Sequence, residues 1–173
     1  KGCYFCPSCN TRLTRRAGQR RPHFAHRPST TCSGESVIHH IAKLLIKQAF
    51  ESARTGGRSI TLVITCTFCS QEFSPRFPLE SANNAQLEGR LQSGRIADVL
   101  LSHNEEPRLA IEIFVSHAVD EVKASVLDIP WIELEGKEIV ANAHIWRPRA
   151  SKLNSKSCPK CRIRERFWTK RRD

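Results

Sequence analysis

Residues 96–101, Ile96-Ala97-Asp98-Val99-Leu100-Leu101, and residues 109–115, Leu109-Ala110-Ile111-Glu112-Ile113-Phe114-Val115, are two apolar runs separated by Ser102 to Pro107. Runs of this length and composition form buried strands, and the polar, Pro-ended segment between them forms a turn. Each strand carries one carboxylate among strongly apolar neighbours. On the second strand Glu112 shares a face with Ala110 and Phe114, while Leu109, Ile111, Ile113 and Val115 take the other. An acid in a central strand must be paired or must bind a metal, because a bare buried charge is too costly. Asp98 and Glu112 lie on adjacent strands. Side by side they could hold a hard divalent cation with waters, the arrangement used for metal-dependent phosphodiester hydrolysis. The alternative is a buried salt bridge to Arg95 or Lys123.

Working outward, Glu35 to Ala53 repeats Val37, Ile38, Ile41, Leu44, Leu45 and Ala49 at three- and four-residue spacing, with Gly56-Gly57 behind, which predicts a helix. Ser59 to Cys66 is β-branched and predicts a buried strand. Residues 70–93 are rich in Ser, Pro and Asn and predict a long excursion with room for a hairpin. A short helix is expected from about Ala118 to Leu127 and a strand from Trp131 to Leu134. The order is helix, strand, strand, strand, helix, strand, an α/β core.

The chain has 173 residues and eight Cys, enough for one domain with modest additions. Its apolar runs are broken by charge before they reach the length of a membrane span. Because the sequence starts at Lys1 without Met, an earlier targeting segment remains open. Cys6-Pro7-Ser8-Cys9, Cys66-Thr67-Phe68-Cys69 and Cys158-Pro159-Lys160-Cys161 are three Cys-x-x-Cys knuckles, a spacing that lets two thiolates converge on one tetrahedral ion. Structural zinc in a reducing, cytoplasmic setting is favoured over disulfides. The first set is Cys6, Cys9, Cys32 and one of His23 or His26, with His26 favoured. Two thiolates with both His is the competing set, and Cys3 is spare in either. The second set joins Cys66 and Cys69 to Cys158 and Cys161, since neither knuckle closes a site alone.

The formal charge of +11 is unevenly spread: +7 over residues 1–33, −5 over 34–146 and +9 over 147–173. This divides the chain into an N-terminal zinc-binding module (1–33), an α/β core with the inserted knuckle at 66–69 (34–146) and a basic zinc-binding tail (147–173). Arg15, Arg16, Arg20 and Arg21 at one end, and Arg162, Arg164, Lys170 and Arg171 at the other, are expected to contact nucleic-acid phosphates. A merely solvated tail is the alternative. Phe167 and Trp168 could stack on an unpaired base, so single strands are among the expected partners.

Cys6 to Cys9, then Arg21-Pro22-His23-Phe24-Ala25-His26, Cys32, and Glu35 through His39-His40-Ile41-Ala42-Lys43 together resemble the opening of the competence-protein CoiA-like family, whose members join a small zinc module to a PD-(D/E)XK nuclease fold. Residues 94–101 and 110–117 are similar to that family's two active-site strands, and 119–123 and 132–134 to its following helix and last strand. The resemblance implies a PD-(D/E)XK restriction-endonuclease-like αβββαβ core. In it Asp98 and Glu112 bind Mg2+ or Mn2+, Glu35 adds a ligand or acts only as an N-terminal helix acid, and His39 lines the site. Two structural zinc ions accompany them. One departure stands out: the signature Lys or Gln position, two after the glutamate, is Phe114. Lys123 is the expected substitute and His117 a weaker one. The implied activity is metal-dependent hydrolysis of DNA, with RNA less favoured. The alternative is an inactive nuclease-fold module that binds DNA in uptake, recombination or phage defence; a protein-docking domain is a third.

Overall fold

One stripe of helix α1 (Gly34–Arg54) is apolar, and it buries Ala42, Ile46, Ala49 and Phe50 against a sheet. The computed structural model describes residues 2–7, 9–18, 22–26, 32, 34–75, 79–115, 129–153 and 157–163. α1 stops where Gly56 adopts φ 87° and the Gly57 N–H donates to the Ser52 carbonyl at 2.8 Å, a glycine-based cap that satisfies an orphan helix carbonyl.

The sheet has five strands: β7 (Asn84–Arg90), β8 (Ile96–His103), β9 (Glu106–Phe114), β10 (Trp131–Glu135) and β12 (Pro148–Lys152), in the order β12-β10-β9-β8-β7. β7, β8 and β9 form an antiparallel meander; β10 runs parallel to β9, and β12 antiparallel to β10. Asn104 and Glu105 close the β8–β9 hairpin with φ of 49° and 69°, the left-handed pair that a tight two-residue turn requires. Val99, Leu101, Leu109, Ile111, Ile132 and Leu134 point into the core shared with α1. Leu100, Ala110 and Trp131 form a second cluster with Leu91 and Ala97. Helix α2 (Gly136–Ala141) packs Ile139 into the first core. Among the described residues no helix is long and apolar enough to cross a membrane.

Two expectations need correction. The run Ser59–Cys66 is not a strand of this sheet. It divides into β4 (Thr61–Leu62), paired in parallel with β11 (Ile145–Trp146), and β5 (Ile64–Thr65), paired with β6 (Glu72–Phe73). The first sheet strand is instead β7, within the segment 70–93 taken as an excursion; it lacks β-branched residues but pairs with β8 from Asn84↔Ser102 to Arg90↔Ile96. The sheet also extends past residue 147 to include β12. The expected helix 118–127 lies outside the described residues.

β7 and β8 approach closely at Gly89, where an added Cβ would stand 2.3 Å from Leu100 Cβ. We expect Gly89→Ala to destabilise the zinc-loaded chain by about 1–3 kcal/mol through overpacking, read as a lowered urea midpoint. Gly18→Ala, which meets nothing within 4 Å, should leave the midpoint unchanged.

Candidate metal centres and the acidic site

Two knuckles fold alike. In each, the first Cys donates its N–H to the residue five on (Cys6 to Thr11, 2.9 Å; Cys66 to Gln71, 2.9 Å) and accepts from the residue four on (Asn10, 2.9 Å; Ser70, 3.0 Å). That fourth residue takes a positive φ, 53° at Asn10 and 56° at Ser70. The first knuckle lies between β1 (Tyr4–Phe5) and β2 (Arg12–Arg16), and β3 (His23–Ala25) completes a small sheet. The third knuckle instead opens one helical turn over 159–163, with Pro159 at its first position, where a missing N–H costs least.

The ligand atoms of Cys6, Cys9, His26 and Cys32 lie within 4.8 Å of one another, and so do those of Cys66, Cys69, Cys158 and Cys161. Both groups could hold a metal ion. Cys6 and Cys32 sulfurs are 3.8 Å apart, and Cys69 and Cys158 sulfurs 3.7 Å. A tetrahedron with Zn–S of about 2.3 Å has S–S edges of about 3.8 Å, whereas a disulfide needs about 2.0 Å, and none of the eight cysteines is in a disulfide. Cys9 Sγ lies 3.3 Å from His26 Nε2. His23 sits in β3 opposite Arg16 and outside this group, as does the exposed Cys3.

The thiols are unequal. A hydrogen bond with the Thr11 hydroxyl, 2.9 Å away, holds Cys9 down to about 6. The Cys158 N–H, 3.3 Å from Cys66 Sγ, holds Cys66 down to about 6. Cys161, hydrogen-bonded to Cys69 and desolvated, is pushed up to about 12. Low thiols are ready ligands, whereas Cys161 would surrender its proton to an ion bound there.

The acidic site lies where β8 and β9 part. Their ladder starts at Val99↔Ile111. One residue beyond, the Ile113 N–H donates to Asp98 Oδ2 at 2.9 Å, a side chain taking the place of a strand carbonyl. His39 of α1 reaches the same oxygen at 3.0 Å. One helical turn on, Lys43, only 8% exposed, donates to Glu88 at 2.9 Å, and this contact holds the Glu88 carboxyl below its ordinary range. Glu112 is 1% exposed and lies between Ile111 and Ile113, both of which enter the α1-side core, so its side chain points to the other face. Glu133 is its register partner on β10 and is likewise buried.

Sequence reasoning did not single out Glu133, Lys43 or Arg149. Glu133 carried the signal that marked Asp98 and Glu112, an acid inside an apolar strand. Arg149 is the extra residue of a β-bulge, since Glu133 pairs with Ala150 and Leu134 with Pro148. Bulges re-aim side chains. This guanidinium lies 3.3 Å from the centroid of the Phe114 ring and 3.6 Å from Glu133 Oε2. Among the described residues Asp98, Glu112 and His39 do not make a group of three ligand atoms within 4.8 Å. The Glu35 side chain, Lys123, His117, Arg20, Arg21, Arg164, Phe167, Trp168, Lys170 and Arg171 lie outside the described residues. Arg15 and Arg16 are exposed on β2, and Arg162 follows Cys161 in the terminal helical turn, donating to the Ser157 carbonyl.

Residues 1–35 match the family model of the competence protein CoiA, N-terminal domain, and this part of the chain is CoiA-like. No curated protein and no solved structure matches the chain.

We expect two zinc ions per chain by metal analysis. Cys3→Ser should keep both and Cys161→Ser should lose one; fewer than two in the wild type would overturn the ligand sets. Because ion binding displaces thiol protons, zinc affinity should fall as pH is lowered from 8 to 5, measured by competition with a chromogenic chelator.

Proposed function

We propose that the chain is a zinc-clamped nuclease domain of the PD-(D/E)XK type that hydrolyses phosphodiester bonds in DNA with Mg2+ or Mn2+. One observation carries this proposal: Asp98 and the buried Glu112 stand at neighbouring positions of two central strands where their ladder ends. The element order supports it, with α1 followed by the meander β7-β8-β9 and then by β10 parallel to β9. The CoiA-like N-terminal domain supports it too.

The donor chemistry fits. Mg2+ keeps several waters and is commonly bound through one or two carboxylates plus substrate phosphate; Asp98 on the α1 side would be the direct ligand, with Glu35 as a further oxygen donor, and Glu112, aimed at the other face, would turn toward the ion as it binds. An ion bound there would polarise the scissile phosphate and acidify an attacking water. The protein's own contribution is placement. Ile113 and His39 fix the Asp98 carboxylate from two directions, which limits its reorientation when substrate arrives. Arg149 answers the missing signature cation: a phenyl ring at Phe114 cannot stabilise an anion, but the guanidinium stacked on it can. Lys123 remains the other candidate for that role. Arg15, Arg16 and Arg162, with the basic residues beyond the described chain, hold the backbone by salt-dependent, sequence-independent contacts.

Phe114 itself favours a second reading, in which the fold and its zinc clamps persist and the chain binds DNA without cutting it, in uptake, recombination or phage defence.

In a cleavage assay with zinc-loaded protein and Mg2+ or Mn2+, we expect Asp98→Asn and Glu112→Gln each to lower the rate about 100-fold or more. Zinc content and DNA affinity should be retained. Arg149→Ala should cost about 10-fold or more, with partial recovery on adding Phe114→Lys. Intact DNA with wild-type protein under both ions would leave only the non-catalytic reading.

A further inference from the structure

The sheet β1-β2-β3 of the N-terminal module presents an aromatic face to water. Tyr4 stands opposite Leu13 and Arg15 opposite Phe24. With alternation along β2, these four share one face. The Tyr4 and Phe24 rings meet with centroids 4.7 Å apart and planes at 48°, yet the residues are 44% and 49% exposed. Beside them lies a cleft of about 600 Å³ lined by Gly2, Tyr4, Arg12, Leu13, Thr14 and Arg15.

Charge narrows the occupant. Residues 1–33 carry seven Lys and Arg and no acid, so the ligand is anionic. The rings ask for flat π surfaces. A duplex offers phosphates but keeps its bases stacked inside, and an acidic peptide offers charge without flat faces. Unpaired nucleotides offer both.

We propose that the Tyr4–Leu13–Arg15–Phe24 face is a stacking platform for single-stranded nucleic acid. Bases stack on Tyr4 and Phe24, and Arg15 and Arg12 take the flanking phosphates at the cleft rim. This site is separate from the carboxylates of the sheet, so it stands whether or not the chain cuts DNA.

The test is fluorescence anisotropy with a labelled twelve-nucleotide oligothymidine and a labelled hairpin duplex. It uses the full zinc-loaded chain carrying Asp98→Asn, without added Mg2+, so that neither probe is cut. Tyr4→Ala and Phe24→Ala should each weaken single-strand binding about 5- to 100-fold. Phe24→Leu, which keeps apolar bulk but removes the π face, should also weaken it. Duplex affinity should change less than about 2-fold, and Arg15→Ala should reduce the salt slope of single-strand binding by about one. Unchanged single-strand affinity in zinc-loaded Phe24→Leu, or equal losses on both probes, would overturn the proposal.

Discussion

Four sulfur atoms drawn from two distant knuckles lie within 4.8 Å of one another, and all five strands of the larger sheet are strung between them. Cys69 and Cys158 are 89 residues apart in sequence and 3.7 Å apart in space. Closing a flexible loop of that length costs about 4 kcal/mol. A structural zinc site contributes about 10–16 kcal/mol at neutral pH, so one ion bound there would outweigh the closure by a wide margin. β7 through β12 all lie inside this loop. The short pairing of β4 with β11, and Trp146 buried beside Leu62, align the same two chain segments just ahead of the knuckles.

Within that loop the sheet positions its charges from two sides. α1 supplies His39 and Lys43, four residues apart on one stripe, to Asp98 and Glu88. β12 supplies Arg149 to Glu133 on the strand next to it. A carboxylate this deep is tolerable only with such a partner. The bulge at Arg149 therefore compensates the charge of Glu133 as well as covering the Phe114 ring.

Much of this was legible in the residues. Cys-x-x-Cys spacing encodes a local turn, and a turn depends on few neighbours, so the eight candidate ligands fall into the two groups that spacing suggests. Asp98 and Glu112 were visible because an acid among β-branched residues breaks a pattern. Arg149 was not, because a bulge depends on the register of β10 against β12, which no local run of residues records. β7 was missed for the opposite reason. Asn84-Ala85-Gln86-Leu87-Glu88-Gly89-Arg90 has little intrinsic strand preference and becomes a strand through its ladder with β8. Residues 59–66 have the preference, but Cys66 must reach the thiol group, and the run is spent in two short pairings.

β7 and β12 are the two margins of the sheet, and open margins invite a second chain to add itself as a further strand. Both margins here are poor templates. Glu88 takes φ 51° midway along β7 and interrupts the run of backbone donors, with charged Glu88 and Arg90 exposed on that margin. β12 begins with Pro148, which has no N–H to offer, and bulges at the next residue. The irregularities that aim Arg149 inward and bring Glu88 to Lys43 thus also discourage edge-to-edge aggregation.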